Sequence, residues 1–344
     1  YGYVPNQKIL DKEAAALYQL LLRPIEQQLS GKKRLYISPD GNLNLIPFEV
    51  LLDEKGAYTI ETYQISYIGA GRDIARFEPG ERGRKQGLTA LILADPDYDF
   101  GLSTQEKMAE AGGAAISGEG AASPKTNMMA SFARLPDTKK EADTIQGILT
   151  SRMSIAVNNY QDKKAVEAVL TTAESPIILH LATHGYFIGK EEIGRNTEGA
   201  DAGQMLLRDN PMLRSGIALA GINLSLNEGR DEGIITAEKV MGLRLMGTEL
   251  VVLSACETGL GDVRNGEGVF GLKRAFILSG AKAVVLSLWS VPSEETMGLM
   301  TRFYELMADG KTKSDALKQS KLELMKKKPN PFYWGAFILV GNPG

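Results

Sequence analysis

Residues Thr248–Asp262, TELVVLSACETGLGD, decide the fold of this chain. An apolar run from Leu250 to Leu253 passes through two small residues to Cys256, the only cysteine, and two glycines follow it. A short apolar run that ends in small and turn-forming residues predicts a buried parallel strand whose carboxyl end enters a loop. Ligands bind beyond that end of the strands in open α/β sheets, so we expect Cys256 at the lip of a crevice.

A second strand is predicted upstream, within Ser175–Phe187, SPIILHLATHGYF. It carries both histidines of the chain: His180 lies mid-strand between leucines, whereas His184 stands at the strand exit, before Gly185. We interpret His180 as a packed strand histidine. The two strands would deliver one thiol and one imidazole to the same sheet edge, which is the geometry of an imidazole-assisted thiolate nucleophile.

Composition narrows the class of protein. The chain has 344 residues, 43% of them hydrophobic and 24% charged, as is ordinary for a soluble globular protein. A net charge of −3 gives no electrostatic case for binding nucleic acid or a membrane surface. No apolar run approaches the ~18–20 residues of a membrane helix. A single cysteine excludes an intrachain disulfide, which favours a reducing, cytoplasmic compartment.

Strands alternate with helices along most of the chain, which predicts an α/β fold with a mostly parallel sheet covered by helices on both faces. We expect that unit in residues 86–344, after a charged, glycine-rich linker, Glu78–Gly87. Residues 1–85 are expected to form a smaller N-terminal α+β subdomain. There, Lys8–Leu29 is predicted to be helical with an interruption at Pro24, and Arg34–Ser38 with Leu45–Leu52 a hairpin.

Several separated motifs resemble one known family. They are LHLATHGYF, LSACETGLG, GEGVFGLKRAFILSGAKAVVLSLWSV and the closing PFYWGAFILVG, and they occur in that order. Together they resemble the CHAT domain, a caspase-like, separase-related group of cysteine peptidases often attached to tetratricopeptide repeats. The resemblance extends from Leu35 to the end of the chain. It implies a caspase-like fold and a cysteine endopeptidase with a His–Cys dyad, in which His184 is the base and Cys256 the nucleophile.

The resemblance also implies an oxyanion hole and a set of partners. In caspase-like enzymes the oxyanion is held by two backbone N–H groups, which correspond by position to those of Gly185 and Cys256. The expected partners are a protein substrate and an upstream repeat or sensor module, or another activating protein, that gates the site. The start at Tyr1 rather than Met suggests that the chain continues something longer. Neither a cofactor nor a metal is implied.

The sequence does not decide which residues would recognise the substrate side chain that precedes the cleaved bond. Arg134 would favour an acidic side chain and Asp137 a basic one, although Asp137 could instead simply cap a helix. Glu257, beside Cys256, is a second candidate for binding a basic side chain. Trp289, after the next strand, would form a wall of the pocket or belong to the core.

Metal sites, nucleotide sites and two other protein functions are the alternatives to a cysteine endopeptidase. Asp95, Asp97 and Asp99 lack the glycine and closing glutamate of a calcium-binding hand, and no histidine or cysteine lies near them to bind zinc. Nucleotide-binding motifs are absent from the sequence. A non-catalytic binding or scaffold module that keeps the fold is the main alternative, and a thiol-dependent acyltransferase is a weaker one. A thiol probe and a peptide library would separate these alternatives.

Overall fold

The structure is a computed structural model that describes residues 4–77, 88–102, 131–187, 210–228, 232–254 and 267–344. The strands are β1 (Arg34–Ile37), β2 (Gln64–Tyr67), β3 (Thr89–Pro96), β4 (Ala156–Asp162), β5 (Ile178–Ala182), β6 (Gly185–Phe187), β7 (Ser215–Ala218), β8 (Ile234–Thr236), β9 (Leu250–Leu253), β10 (Ala283–Ser287) and β11 (Phe337–Gly341). The helices are α1 (Gln7–Leu21), α2 (Glu26–Leu29), α3 (Thr59–Thr62), α4 (Pro136–Met153), α5 (Glu167–Thr171), α6 (Pro211–Arg214), α7 (Ile222–Glu228), α8 (Ala237–Met241), α9 (Glu267–Leu278), α10 (Ser293–Ala308), α11 (Lys313–Lys327) and α12 (Pro331–Trp334).

The described strands form two sheets. The larger has eight strands in the order β1-β2-β11-β10-β9-β5-β3-β4, and the smaller is β6-β7-β8. Neighbours in the larger sheet are parallel except β10 and β11, which are antiparallel. The smaller sheet is antiparallel. The predicted α/β class with a mostly parallel sheet is therefore confirmed.

Alternate residues of the central strands pack against helices on opposite faces of the sheet. Val251 and Leu253 of β9 face the layer that contains α8 and α9. Leu250 and Val252 face the layer formed by α4, α10 and α11. Burial on both faces explains why these strands read as continuous apolar runs in the sequence.

The N-terminal part contains one correct and one wrong prediction. The helical segment is interrupted as expected, because a 3-10 turn over Arg23–Ile25, which contains Pro24, separates α1 from α2. The predicted hairpin is wrong: β1 pairs in parallel with β2, and the second half of the hairpin forms short 3-10 turns. The Asn44 amide donates to the carbonyls of Pro39 and Gly41, and it holds the chain in a turn where the hairpin needed a strand.

The first 77 residues contribute β1 and β2 to the same sheet as the rest of the chain, through the contact of β2 with β11. The predicted linker, Glu78–Gly87, lies outside the described residues. No helix within the described ranges combines the length and the apolar character needed to cross a membrane.

A buried ion pair joins the N-terminal part to α11. The Lys321 ammonium is 1% exposed, lies 3.3 Å from a Glu49 carboxylate oxygen and donates to the Phe337 carbonyl at 2.7 Å. The Tyr67 hydroxyl donates to the other oxygen of Glu49 at 2.5 Å. Burial lowers the pKa of Lys321, and the charge of Glu49 opposes that shift. The Lys321 ammonium therefore depends on the Glu49 carboxylate to stay charged in the interior.

We predict that Glu49→Gln lowers the free energy of unfolding by about 3–5 kcal/mol, because it leaves the Lys321 ammonium buried without a counter-charge. Urea denaturation measures this change. The control is Glu174→Gln, which breaks the exposed Arg244–Glu174 pair and should cost less than about 1 kcal/mol. Equal effects of the two substitutions would contradict the structural role given to the buried pair.

Candidate active site

The strands that precede the two predicted site residues are neighbours. β5 and β9 are parallel, with Leu181 opposite Leu253, and the Ser254 amide donates to the Leu181 carbonyl at 2.9 Å. Both strands therefore end at the same edge of the sheet, as the sequence predicted. His184 lies two residues beyond the end of β5. Cys256 and Glu257 lie outside the described residues, so the pairing of Cys256 with His184 stays a prediction.

A chain of hydrogen bonds fixes the backbone at His184. Its amide donates to the Tyr98 hydroxyl at 3.2 Å, Tyr98 and Thr183 share a hydrogen bond of 2.8 Å between their hydroxyls, and Thr183 donates to the Ala218 carbonyl. Tyr98 is fully buried, and this burial raises the pKa of its phenol above the ordinary value. The phenol therefore stays protonated and keeps its place in the chain.

The imidazole of His184 lies in an aromatic enclosure. Its ring centroid is 5.3 Å from that of Tyr98 and 5.6 Å from that of Phe132. The residue is 5% exposed. The contacts with both rings restrict rotation of the imidazole, and the polar contact described next restricts it further.

Nε2 of His184 lies 2.8 Å from the carbonyl oxygen of Ala133. A carbonyl only accepts hydrogen bonds, so Nε2 must carry the proton and, in the neutral ring, the basic lone pair is on Nδ1. Ala133 is held in turn by its neighbour Phe132, whose amide and carbonyl are both bound by the Asn223 side chain, at 2.8 and 3.0 Å. Ala133 and Asn223, both far from His184 in the sequence, thus determine which nitrogen of His184 is the base.

Arg134 has a different role from the one considered from the sequence. Its guanidinium donates to both carboxylate oxygens of Asp95, at 2.9 and 2.7 Å, and to Asp162 at 2.8 Å, and it lies 3.9 Å from Asp97. Two of the three aspartates weighed as a metal loop, Asp95 and Asp97, therefore lie around this arginine, together with Asp162. Saturated by carboxylates, Arg134 is poorly placed to bind an acidic substrate side chain, and it instead fixes the segment that carries Ala133.

A cavity opens beside His184, between β9, β10 and the first turns of two helices. Its lining includes His184, Ser254, Glu141, Asp137, Ser290 and Val291. Asp137 is the second residue of α4, and Leu135 takes the N-cap position, so the alternative that Asp137 caps this helix is wrong. Its exposed carboxylate pairs with Lys140 at 3.1 Å. Asp137 remains a candidate for substrate binding.

Trp289 packs between secondary-structure elements. Its indole N–H donates to the Phe332 carbonyl at 2.9 Å, and a Cβ built on Gly335 would lie 3.4 Å from the ring. It does not line the cavity beside His184, although the next two residues do. Of the two alternatives left open by the sequence, this placement favours the core.

Gly185 begins β6, at the edge of the smaller sheet. The Ala218 amide donates to the His184 carbonyl, and Gly185 lies opposite Ile217. Bonded and non-bonded pairs alternate in an antiparallel ladder, so the Gly185 N–H points away from β7. That orientation is compatible with the predicted donation to a substrate oxyanion, which stays a prediction together with the Cys256 amide.

Sequence reasoning missed a buried polar cluster beneath the cavity. The Ser254 hydroxyl donates to Glu141, and Nε2 of His180 lies 3.2 Å from the same carboxylate. Nδ1 of His180 contacts the Tyr304 hydroxyl at 3.1 Å, so the expected packed strand histidine is confirmed. The sequence contains one indication that Glu141 faces the interior: it lies four residues before Ile145, on the apolar stripe of α4. Asn223 carried no such signal. Within the described ranges, no three acidic, histidine or cysteine side chains gather as a metal site would require.

Comparisons with known proteins agree with this architecture. A family model described as the CHAT domain matches residues 11–342. Tetratricopeptide repeat protein 28 of Homo sapiens is 26% identical over an alignment of 344 positions, which covers 95% of this chain and 13% of that protein. The Mus musculus protein of the same name is 25% identical with the same coverage. The chain thus spans 13% of the length of these curated relatives.

Two solved structures share the fold. The crystal structure of the Arg specific cysteine proteinase gingipain R (RgpB) matches with a TM-score of 0.52 and 10% identity, over 97% of this chain and 69% of that chain. The complex of Porphyromonas gingivalis RgpB pro- and mature domains matches with a TM-score of 0.53 and 10% identity, over 97% and 71%. At this identity the likeness concerns the fold alone, and it confirms the predicted caspase-like architecture.

We predict that the neutral ring of His184 carries its proton on Nε2, because the Ala133 carbonyl can only accept. Long-range 15N–1H correlation spectra of histidine-labelled protein distinguish the two tautomers. With two histidines in the chain, the His184→Asn variant identifies the His184 signals by their loss. A neutral ring with its proton on Nδ1 would contradict the orientation described here.

Proposed function

We propose that this chain, which belongs to the CHAT domain family, is a cysteine endopeptidase that hydrolyses a protein substrate, with Cys256 as nucleophile and His184 as general base. One observation carries the proposal. The His184 ring is oriented by the Ala133 carbonyl so that Nδ1 is its basic nitrogen, at the sheet edge where the strand leading to Cys256 also ends. An imidazole oriented in this way is what activation of a thiol needs.

The proposed reaction uses groups of this chain alone. Nδ1 of His184 accepts the thiol proton of Cys256, and the thiolate attacks the peptide carbonyl carbon. The backbone N–H groups of Gly185 and Cys256 stabilise the tetrahedral oxyanion, each worth about 2.7–4 kcal/mol in comparable acyl transfer. His184 then gives its proton to the leaving amine, and water hydrolyses the thioester with His184 again as base.

The comparisons support the reaction class and suggest a setting. Gingipain R, which shares the fold, is named a cysteine proteinase. The curated relatives are named for tetratricopeptide repeats and are much longer than this chain. We therefore propose that a repeat or sensor module, or another activating protein, gates the peptidase. We also propose a reducing, cytoplasmic location, because a catalytic thiol must stay reduced in order to react.

We predict that Cys256→Ala and His184→Ala each lower the rate of peptide cleavage by at least about 100-fold, since the first removes the nucleophile and the second a general base, which contributes about 10²–10⁴-fold. Cleavage is measured by mass spectrometry of the new amino termini formed in a peptide mixture. Iodoacetamide labelling of the single cysteine measures thiol reactivity directly, and it should slow in His184→Ala.

The control is Lys163→Ala, on the exposed surface beyond β4, which should cleave at the wild-type rate. Circular dichroism and thermal unfolding show whether each variant keeps the fold. Full cleavage activity in folded His184→Ala would remove the dyad. Failure of wild-type protein to release any new amino terminus, with labelling that does not depend on His184, would instead favour a non-catalytic module.

A further inference from the structure

The cavity beside His184 has a buried carboxylate in its lining. Glu141 reaches it from the second turn of α4 and is 2% exposed. The same cavity is lined by Ser254, the last described residue before the stretch that holds Cys256. A side chain bound here would therefore lie next to the bond that the proposed dyad attacks.

The carboxylate of Glu141 is incompletely used by the protein. It accepts the Ser254 hydroxyl, and Nε2 of His180 lies 3.2 Å away without the alignment of a hydrogen bond. Two carboxylate oxygens can accept about four hydrogen bonds. The described contacts leave acceptor capacity for a donor that arrives through the cavity.

The charges around the cavity favour a cation. Within the described part of the chain, no lysine or arginine lines it. Arg134 is bound by three aspartates, and Lys140 by Asp137 at the rim. The first turns of α4 and α10 supply partial positive charge, but each also carries acidic side chains, namely Asp137, Glu294 and Glu295. A buried full charge outweighs the partial charges of the two helix ends.

Hydroxyl groups complete the lining, and they suit a donor-rich cation. Ser287, Ser290 and Ser293 border the cavity on the side of β10 and α10. An ammonium has three N–H donors and a guanidinium has five, and neither can accept a hydrogen bond. Hydroxyl oxygens and a carboxylate can satisfy such donors, whereas an acidic side chain would meet Glu141 with a like charge.

We propose that Glu141 is the specificity-determining carboxylate of this site and that the cavity binds a lysine or arginine side chain on the acyl side of the cleaved bond. Resting on the endopeptidase function proposed above, this assignment adds the class of substrate. Asp137 acts at the rim, exposed and partly neutralised by Lys140, and contributes less than the buried carboxylate.

The test uses the full chain and a panel of peptidyl acyloxymethyl ketones that differ only in the side chain next to the ketone: arginine, lysine, norleucine, glutamine or glutamate. The thiolate of Cys256 displaces the carboxylate leaving group, and the mass of the labelled chain gives the rate. Arginine and lysine reagents should label about 10- to 100-fold faster than norleucine, as expected for hydrogen bonds to a charged group.

Variants then test the residue. Glu141→Gln keeps an acceptor for Ser254 but removes the charge, so it should reduce the arginine-to-norleucine ratio about tenfold or more while norleucine labelling changes little. Asp143→Asn, an equal change of charge on the same helix outside the cavity lining, should leave the ratio unchanged. Asp137→Asn should lower it by less than Glu141→Gln does.

Each other outcome overturns the assignment. Equal rates across the panel, or fastest labelling by the glutamate reagent, would exclude a basic preference while leaving the dyad intact. An equal loss for all reagents in Glu141→Gln would make the carboxylate structural. The absence of any ketone labelling, with iodoacetamide labelling independent of His184, would remove both this inference and the endopeptidase. The wild-type panel decides the substrate class even if Glu141→Gln fails to fold.

Discussion

The parallel pairing of β5 and β9 is the constraint on which the candidate site depends. A slip of either strand by one residue would turn the leucine of that strand, Leu181 or Leu253, to the opposite face of the sheet, and it would break the bond between the Ser254 amide and the Leu181 carbonyl. The continuous burial of both strands makes any such slip costly. The register therefore fixes where β5 ends relative to β9, and with it the position of His184 at the edge of the sheet.

The second constraint is polar and lies inside the sheet's apolar layer. His180, Glu141 and Ser254 are all nearly or fully buried, and each contacts another member of the group. Burying such groups costs stability unless they are paired. A cluster of this kind at the foot of a cavity is easier to explain by recognition of a ligand than by stability, since apolar residues would pack the same space more cheaply.

The sequence predicted the parts of the structure that local patterns control. Apolar runs in the sequence predict the two central strands and the packed His180, and Pro24 predicts the interruption of the first helix. The contacts that orient His184 do not: they join Ala133, Asn223 and the histidine across long separations, and no local periodicity encodes which carbonyl will face which ring. The false hairpin has the same origin, because β1 found its partner in β2 rather than in the adjacent segment.

The position of β11 has a consequence for how the protein is made. This last strand lies in the interior of the eight-stranded sheet, between β2 near one end of the chain and β10. During translation, β2 and β10 both emerge from the ribosome before the strand that separates them exists. Until then each exposes an unpaired edge that could join a strand of another nascent chain. The eight-stranded sheet can therefore be completed only after β11 has been synthesised.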